Sequence, residues 1–411
     1  MTTETTIDTL NPVRARDRIA TLDVLRGLAV LGILAVNAAA YGLPFGLQMA
    51  PDQTPFTMTG DNALAHWVVE VFFRQKFLTL FSMLFGVSIF LVGGERADEA
   101  RGRLLRRRLF WLAVIAIIHG LALWYGDVLL LYAWAGLFVM LMRSMKASTL
   151  IAVGLGVTLL LATMQGAMGW LAAAGPEEFV RQYQANQPKL PEGAIAAIIA
   201  DYQSGWAGAM SRNFNTWLML QGMSLLAFVF STVPLMMLGL GLFKSGFLSG
   251  RAPMWLYGVL IVLGGAVLAL HGVLQWREIA AGPGVEATGG LAALVAAYPI
   301  FITLGYASAI IVLVTRGAGW LKAILAPVGQ MAFTNYLAQT IIMTSIFYMP
   351  WGPRLYGQLD YVQLWGVVAA VWAIQLIWSR LWLSRFAMGP LEWVWRCLTY
   401  GRQVPLRRAA A

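Results

Sequence analysis

An imidazole and a carboxylate stand eight residues apart in an otherwise apolar run, F-W-L-A-V-I-A-I-I-H-G-L-A-L-W-Y-G-D (110–127). Trp124-Tyr125-Gly126 reads as the turn of a helical hairpin, which would bring His119 and Asp127 together at the edge of a hydrocarbon layer. A carboxylate so placed orients the ring and raises its basicity, as a general base requires. Asp127 reads equally well as the cap of the following helix, with His119 a satisfied core residue. The two roles are compatible.

A second constellation lies in R-I-A-T-L-D-V-L-R-G-L-A-V-L-G-I-L-A-V-N-A-A-A-Y (18–41), the first stretch long enough to cross a bilayer. Arg26 and Asn37 are eleven positions apart, close to three helical turns, so they share a face about 16 Å apart along the axis. Asp23, one turn before Arg26, is placed to pair with it. Gly27, Ala29, Gly32 and Ala35 let neighbouring helices approach closely. Charge and amide in an apolar helix are costly, which makes function the default reading.

Other polar residues carry two readings each. Arg74 and Lys76 either snorkel to lipid headgroups or hold an anionic acceptor. The basic run Arg101–Arg108 anchors topology on anionic lipid or attracts a cytosolic phosphorylated ligand. Gln330, Thr334, Asn335, Gln339 and Thr340 recur at three- to five-residue spacing and either hydrogen-bond between helices or line a cavity. His66 and His271 read as headgroup-level residues beside tryptophans. Glu392 and Arg396 form an i,i+4 anchor. There is no P-loop, no G-x-S-x-G, no H-E-x-x-H and no Cys/His spacing suited to a metal. Cys397 is the single cysteine, so no intramolecular disulfide can form.

These residues need helices to hold them. The 411-residue chain is 59% hydrophobic and only 12% charged, against about 25% charged for a soluble domain. It therefore reads as an all-α, polytopic integral membrane protein. About ten apolar runs have spanning character: 19–41, 75–94, 106–123, 127–143, 149–171, 215–243, 254–275, 291–314, 327–349 and 362–383. Asp61–Phe73 reads as an amphipathic piece on the outer surface. The longest hydrophilic stretch, 172–213, is extracytoplasmic; within it Gly193–Met210 suits a short surface helix, and with 277–290 it makes a partial lid.

Most of the 29 Lys and Arg fall on alternating loops of one side, the exceptions being Arg74, Lys76, Arg181, Lys189, Arg212, Arg277 and Arg354. The positive-inside rule then places both termini in the cytoplasm. The net charge of +10 marks topology, not a nucleic-acid partner. Residues 1–17 read as a disordered cytoplasmic tail, 18–401 as a single transmembrane domain and 402–411 as a basic cytoplasmic tail. Gly27–Val36 followed by Ala38, Ala39 and Ala40 has signal-peptide character, but the apolar run continues back to Ile19, which argues for a retained first helix.

Five stretches, 18–37, K-F-L-T-L-F-S-M-L-F-G (76–86), H-G-L-A-L-W-Y-G-D-V-L-L-L-Y (119–132), G-Q-M-A-F-T-N-Y-L-A-Q (329–339) and G-P-L-E-W-V-W-R-C-L-T-Y-G (389–401), together resemble the YeiB family of bacterial inner-membrane proteins, the domain of unknown function 418 family. That family is similar, distantly, to transmembrane acyltransferases such as heparan-alpha-glucosaminide N-acetyltransferase and the surface-polysaccharide O-acyltransferases. The resemblance implies an acyltransferase-like core in which cytosolic acyl-CoA, acetyl-CoA above all, donates to a small-molecule or glycan acceptor on the far side. Arg26 and Asn37 match the O-acyltransferase arginine and histidine in spacing, but Asn stands where those enzymes carry His. The glucosaminide enzyme likewise has Asn there and supplies its histidine eleven residues on, which here is Gln48. Any base must therefore come from elsewhere, and His119 with Asp127 is what the sequence offers. On this reading Arg26, paired with Asp23, lies near the CoA phosphates. Asn37 hydrogen-bonds the thioester oxygen, while Arg74, Lys76, Asn335 and Gln339 contact the acceptor. Membrane lipids and a second copy of the chain are the further partners left open. The alternatives are a small-molecule or lipid permease that has lost the chemistry and, third, a non-catalytic interaction protein.

Overall fold

The computed structural model describes residues 19–47, 53–187, 190–223, 229–282 and 285–408. The tail 1–17, Gln48 and the last three residues of the basic C-terminal tail lie outside the described residues. The chain is all-helical; among the described residues the only β pairing is an isolated bridge between Phe386 and Arg407.

The helices run α1 (Ala20–Gly42), α2 (Gly60–Val68), a π turn (Val69–Phe73), α3 (Lys76–Gly93), α4 (Glu99–Ala122), α5 (Leu129–Met142) and α6 (Ala147–Ala174). Then come α7 (Glu177–Asn186), α8 (Ala194–Gln203), α9 (Trp206–Met223), α10 (Val229–Lys244), α11 (Met254–Ala281) and α12 (Leu291–Ala296). The chain closes with α13 (Pro299–Thr315), α14 (Gly319–Gln330), α15 (Ala332–Phe347), α16 (Tyr361–Arg385) and α17 (Pro390–Tyr400). Among the described residues, five units are long and apolar enough to cross a membrane: α1, the stretch Gly60–Gly93, α6, α11 and α16. That is compatible with a multi-pass membrane protein.

Local chemistry sets the helix ends. Asp98 accepts from the Arg101 amide and caps α4. Asp360 and Gln363 form a reciprocal capping box on α16. Pro299 and Pro390 open α13 and α17 at positions where a missing N–H costs nothing. Basic side chains close the opposite ends. Arg101 donates to the carbonyls of Leu91 and Val92 at the end of α3, Arg143 to Gly94 and Met140, and Lys244 to Arg143 and Met145. Cations there complement the negative ends of α3, α5 and α10.

Two expected spans are interrupted, while the run 215–243 crosses residues 224–228, which lie outside the described residues. The run 291–314 breaks at Tyr298, because Pro299 starts a new helix. The run 327–349 breaks at Met331 (φ −112°, ψ 28°), four residues after Pro327 in α14, leaving α15 with 16 residues. Likewise, the surface helix expected over Gly193–Met210 is α8 followed by the start of α9.

α1 is central: 67% of its apolar window is buried inside the protein, against 17% for α6 and 22% for α11. The last two are peripheral, and bare apolar side chains such as Leu160, Met164 and Val262 cover their outer faces. α1 packs on α14, α3, α15 and α16. Its N-terminal half meets α14 backbone to backbone, because a Cβ on Gly27 would run into the Leu325 carbonyl and one on Gly329 into the Asp23 carbonyl. Small residues make that approach possible. Apolar side chains from Leu22 to Trp395 form one continuous core.

Candidate functional site

The hairpin between α4 and α5 joins His119 to Asp127, with Nδ1 2.8 Å from Oδ1. The other Asp127 oxygen accepts from the Leu130 amide at 2.9 Å and so caps α5. Nε2 of His119 lies 2.9 Å from the Thr340 hydroxyl on α15, which lies 2.7 Å from the Tyr41 hydroxyl at the end of α1. The directions that satisfy every group run one way: Tyr41 donates to Thr340, Thr340 to His119, and His119 to the Asp127 carboxylate. Neither side chain of the His119–Asp127 pair is more than 1% exposed. Trp124 stacks on Tyr41 with ring centroids 3.9 Å apart, Tyr348 donates to the Leu123 carbonyl, and Asn213 donates to that of Gly120. The relay ties α1, α4 and α15 together inside the protein.

Asn37 lies elsewhere. It lines a cavity of about 420 Å³ at the C-terminal end of α1, together with His66, Glu70, Arg74, Tyr125 and Tyr361. His119, Asp127 and Thr340 are not among the residues lining this cavity. His66, Glu70 and Arg74 form a charged stripe along α2 and the π turn. His66 Nε2 is 3.8 Å from Glu70 Oε1, and Arg74 Nε is 2.6 Å from Glu70. The His66 ring meets the edge of Tyr361 at 5.1 Å. The π turn makes this possible: it ends at Arg74 (φ −54°, ψ 128°) and is followed by Gln75 in the left-handed region (φ 66°). Such wide turns recur at functional sites. The spacing 66, 70, 74 is the sequence signal for this stripe. No role is expected of Glu70 from sequence, because Asp61–Phe73 reads as a surface amphipath.

The remaining expected residues are separated from this cavity. Lys76 is 4% exposed and donates to the Glu70 carbonyl at 2.9 Å, so it does not snorkel: the π turn offers it a buried acceptor. His271 is also buried, with Nε2 3.4 Å from the same carbonyl. Asn335 and Gln339 do not line the cavity. Asn335 donates to Val328 and Ser379 and accepts from Trp378, while Gln339 donates to Gln375 at 2.8 Å. Gln375 in turn donates to the Asn335 carbonyl. Glu392 accepts from the amides of Phe333 and Thr334 and from the Thr334 hydroxyl, capping α15. At the far end of α1 Arg26 pairs with Asp23 at 2.9 Å, with their side chains 24% and 10% exposed.

Sequence similarity to known proteins runs nearly the length of the chain. The chain is 32% identical to "Uncharacterized protein YxaH" of Bacillus subtilis (strain 168), covering 98% of this chain and 99% of that one. It is 31% identical to "Uncharacterized protein YeiB" of Escherichia coli (strain K12), covering 93% and 96%. The chain belongs to the YeiB family. Residues 242–402, from the end of α10 to the residue after Gly401, match the family described as "Protein of unknown function (DUF418)". A further relative, "Uncharacterized 39.9 kDa protein in amylase 3'region" of Bacillus acidopullulyticus, is 26% identical over 97% of this chain. In the YeiB family member described here, Asp23, Arg26 and Asn37 lie outside the DUF418 match, while Thr340, Gln375 and Glu392 lie within it.

Proposed function

We propose that this YeiB family protein is a multi-pass inner-membrane acyltransferase-like protein, working in the cavity at the C-terminal end of α1. Ten helices supply the crossings: α1, α3, α4, α5, α6, α10, α11, α13, α15 and α16. The basic caps at the ends of α3, α5 and α10 then face the cytoplasm, as do both termini, and the cavity faces outward. One observation carries the reading: Asn37, His66, Glu70 and Arg74 line the same cavity. The resemblance leaves Asn37 without its usual histidine, and this cavity supplies one from α2.

In this scheme Glu70 orients His66 through Nε2, leaving Nδ1 to take the proton of an acceptor hydroxyl or amine. The acceptor atom bonds to the thioester carbonyl carbon while Asn37 donates to its oxygen. The carbon–sulfur bond breaks, and the CoA thiolate leaves with the proton. The donor phosphates lie by Arg26 and the Arg101–Arg108 run, about 16 Å along α1 from Asn37. α14, a short helix ending just after Pro327, must part from α1 for the thioester to reach the cavity. The buried relay from Tyr41 to Asp127 then serves as a clasp that fixes the cavity wall.

Close contact between α1 and α14 at Gly27 and Gly329 favours a second reading, a binding protein or permease whose vestibule opens outward only. Reconstitution in nanodiscs with radiolabelled acetyl-CoA and lipid or glycan acceptors decides between them. Label should transfer, His66→Gln should slow transfer by about 10²–10⁴, and Asn37→Ala by about 10²–10³. His119→Gln should lower yield at an unchanged rate per folded molecule. Loss of transfer in His119→Gln alone would move the chemistry to the buried relay. Binding without transfer would establish the second reading.

A further inference from the structure

The back of the strap formed by α2 and the π turn presents apolar side chains. While His66 and Glu70 face the cavity, Trp67, Val71 and Phe72 form one wall of a separate groove of about 620 Å³. Its floor is α11, where Gly265, Ala269 and Gly272 leave a shallow channel between larger neighbours. A Cβ on Gly265 would meet nothing within 4 Å, so the channel is open there. Gly265 to Arg277 spans about 18 Å of helix, close to half of a hydrocarbon layer about 30 Å thick. The groove is therefore one leaflet deep.

Its mouth differs in chemistry from its floor. Trp67 donates to the Gly272 carbonyl at 2.8 Å and meets Trp276 edge to face at 6.0 Å. Paired tryptophans of this kind mark a membrane–water boundary. Arg277 follows, lining the mouth, and among the described residues no carboxylate pairs with it. An apolar channel of leaflet depth ending at an unopposed guanidinium complements one molecule: an acyl chain with a phosphate at its head.

We propose that this groove binds one anionic phospholipid, its acyl chain along Gly265–Gly272 and its phosphate on Arg277. The lipid lies against the strap that carries His66 and Glu70, and the assignment does not depend on what the cavity does. Native mass spectrometry of the full chain in detergent, titrated with dioleoyl phosphatidylglycerol, tests it. One lipid should remain bound at activation energies that strip the others. Gly265→Leu should cut that occupancy at least about tenfold while the thermal midpoint is retained, since the new side chain enters open space; Ala269→Phe is a second plug with the same expected loss. Val262→Phe, on the bare outer face of α11, should leave occupancy unchanged. Arg277→Gln should abolish preference for phosphatidylglycerol over phosphatidylcholine. Retention in both plugged variants, equal loss in Val262→Phe, or an unaltered headgroup preference in Arg277→Gln would each overturn the site.

Discussion

Thr340 on α15 holds its hydroxyl 2.9 Å from Nε2 of His119 on α4, across 221 positions of sequence. The same oxygen meets the Tyr41 hydroxyl from α1. One small side chain therefore completes the hydrogen bonding of two elements that no local signal connects.

Removing that hydroxyl leaves two buried groups without a partner. Thr340→Val keeps the shape but should lower stability by about 1–3 kcal/mol, the cost of unsatisfied buried polar groups. Thr340→Ser should recover most of the loss. Thermal unfolding in detergent reads both, and an unaltered midpoint in the valine variant would show that the relay does not hold the bundle.

The α1–α14 contact makes a different prediction. Gly329→Ala directs a methyl at the Asp23 carbonyl, and backbone cannot yield as a side chain can. Overpacking of this kind costs about 1–3 kcal/mol. It should also weaken the Asp23–Arg26 pairing at the same level of α1. A variant as stable as the parent would mean that α14 moves away from α1 readily.

Gln375 bridges Gln339 and the Asn335 carbonyl. Gln375→Leu removes both bonds and leaves the Gln339 amide only the Val30 carbonyl at 3.3 Å, so stability should fall by about 1–3 kcal/mol. Restoration by a ligand added in trans would instead return Asn335 and Gln339 to a substrate site.

Topology can be read with fusions. Reporters after Met145 and Ser249 should be cytoplasmic, and those near Gln187 and Ala287 external. A cytoplasmic signal at Gln187 would remove the cavity from the outer side and undo the ten-crossing arrangement.

Legibility in the sequence tracked distance along the chain. Asp23–Arg26 and His119–Asp127 were readable because a helix turn and a hairpin bring each pair together locally. The polar periodicity of Gln330–Thr340 announced buried hydrogen bonding, but its partners Gln375, Ser379 and Glu392 come from other segments and could not be named. Long apolar runs hid two breaks, since hydropathy is blind to Pro299 opening a helix and to the turn at Met331. The stripe His66, Glu70, Arg74 was visible as spacing. Its inward aim was not, because the π turn that aims it has no signature in residue type.

That wide turn has a consequence for the phase of the chain. A π turn accommodates one extra residue within a helix, and one residue is worth about 100° of rotation. The residues before Val69 are thus rotated relative to the end of the strap at Phe73, while Arg74 and Gln75 separate the strap from α3. Deleting one residue between Val69 and Phe73 would restore ordinary pitch and swing α2 around its own axis. The imidazole at His66 would leave the cavity, and indole from Trp67 would move out of the groove. A single codon therefore sets whether each face of the strap addresses the cavity or the groove.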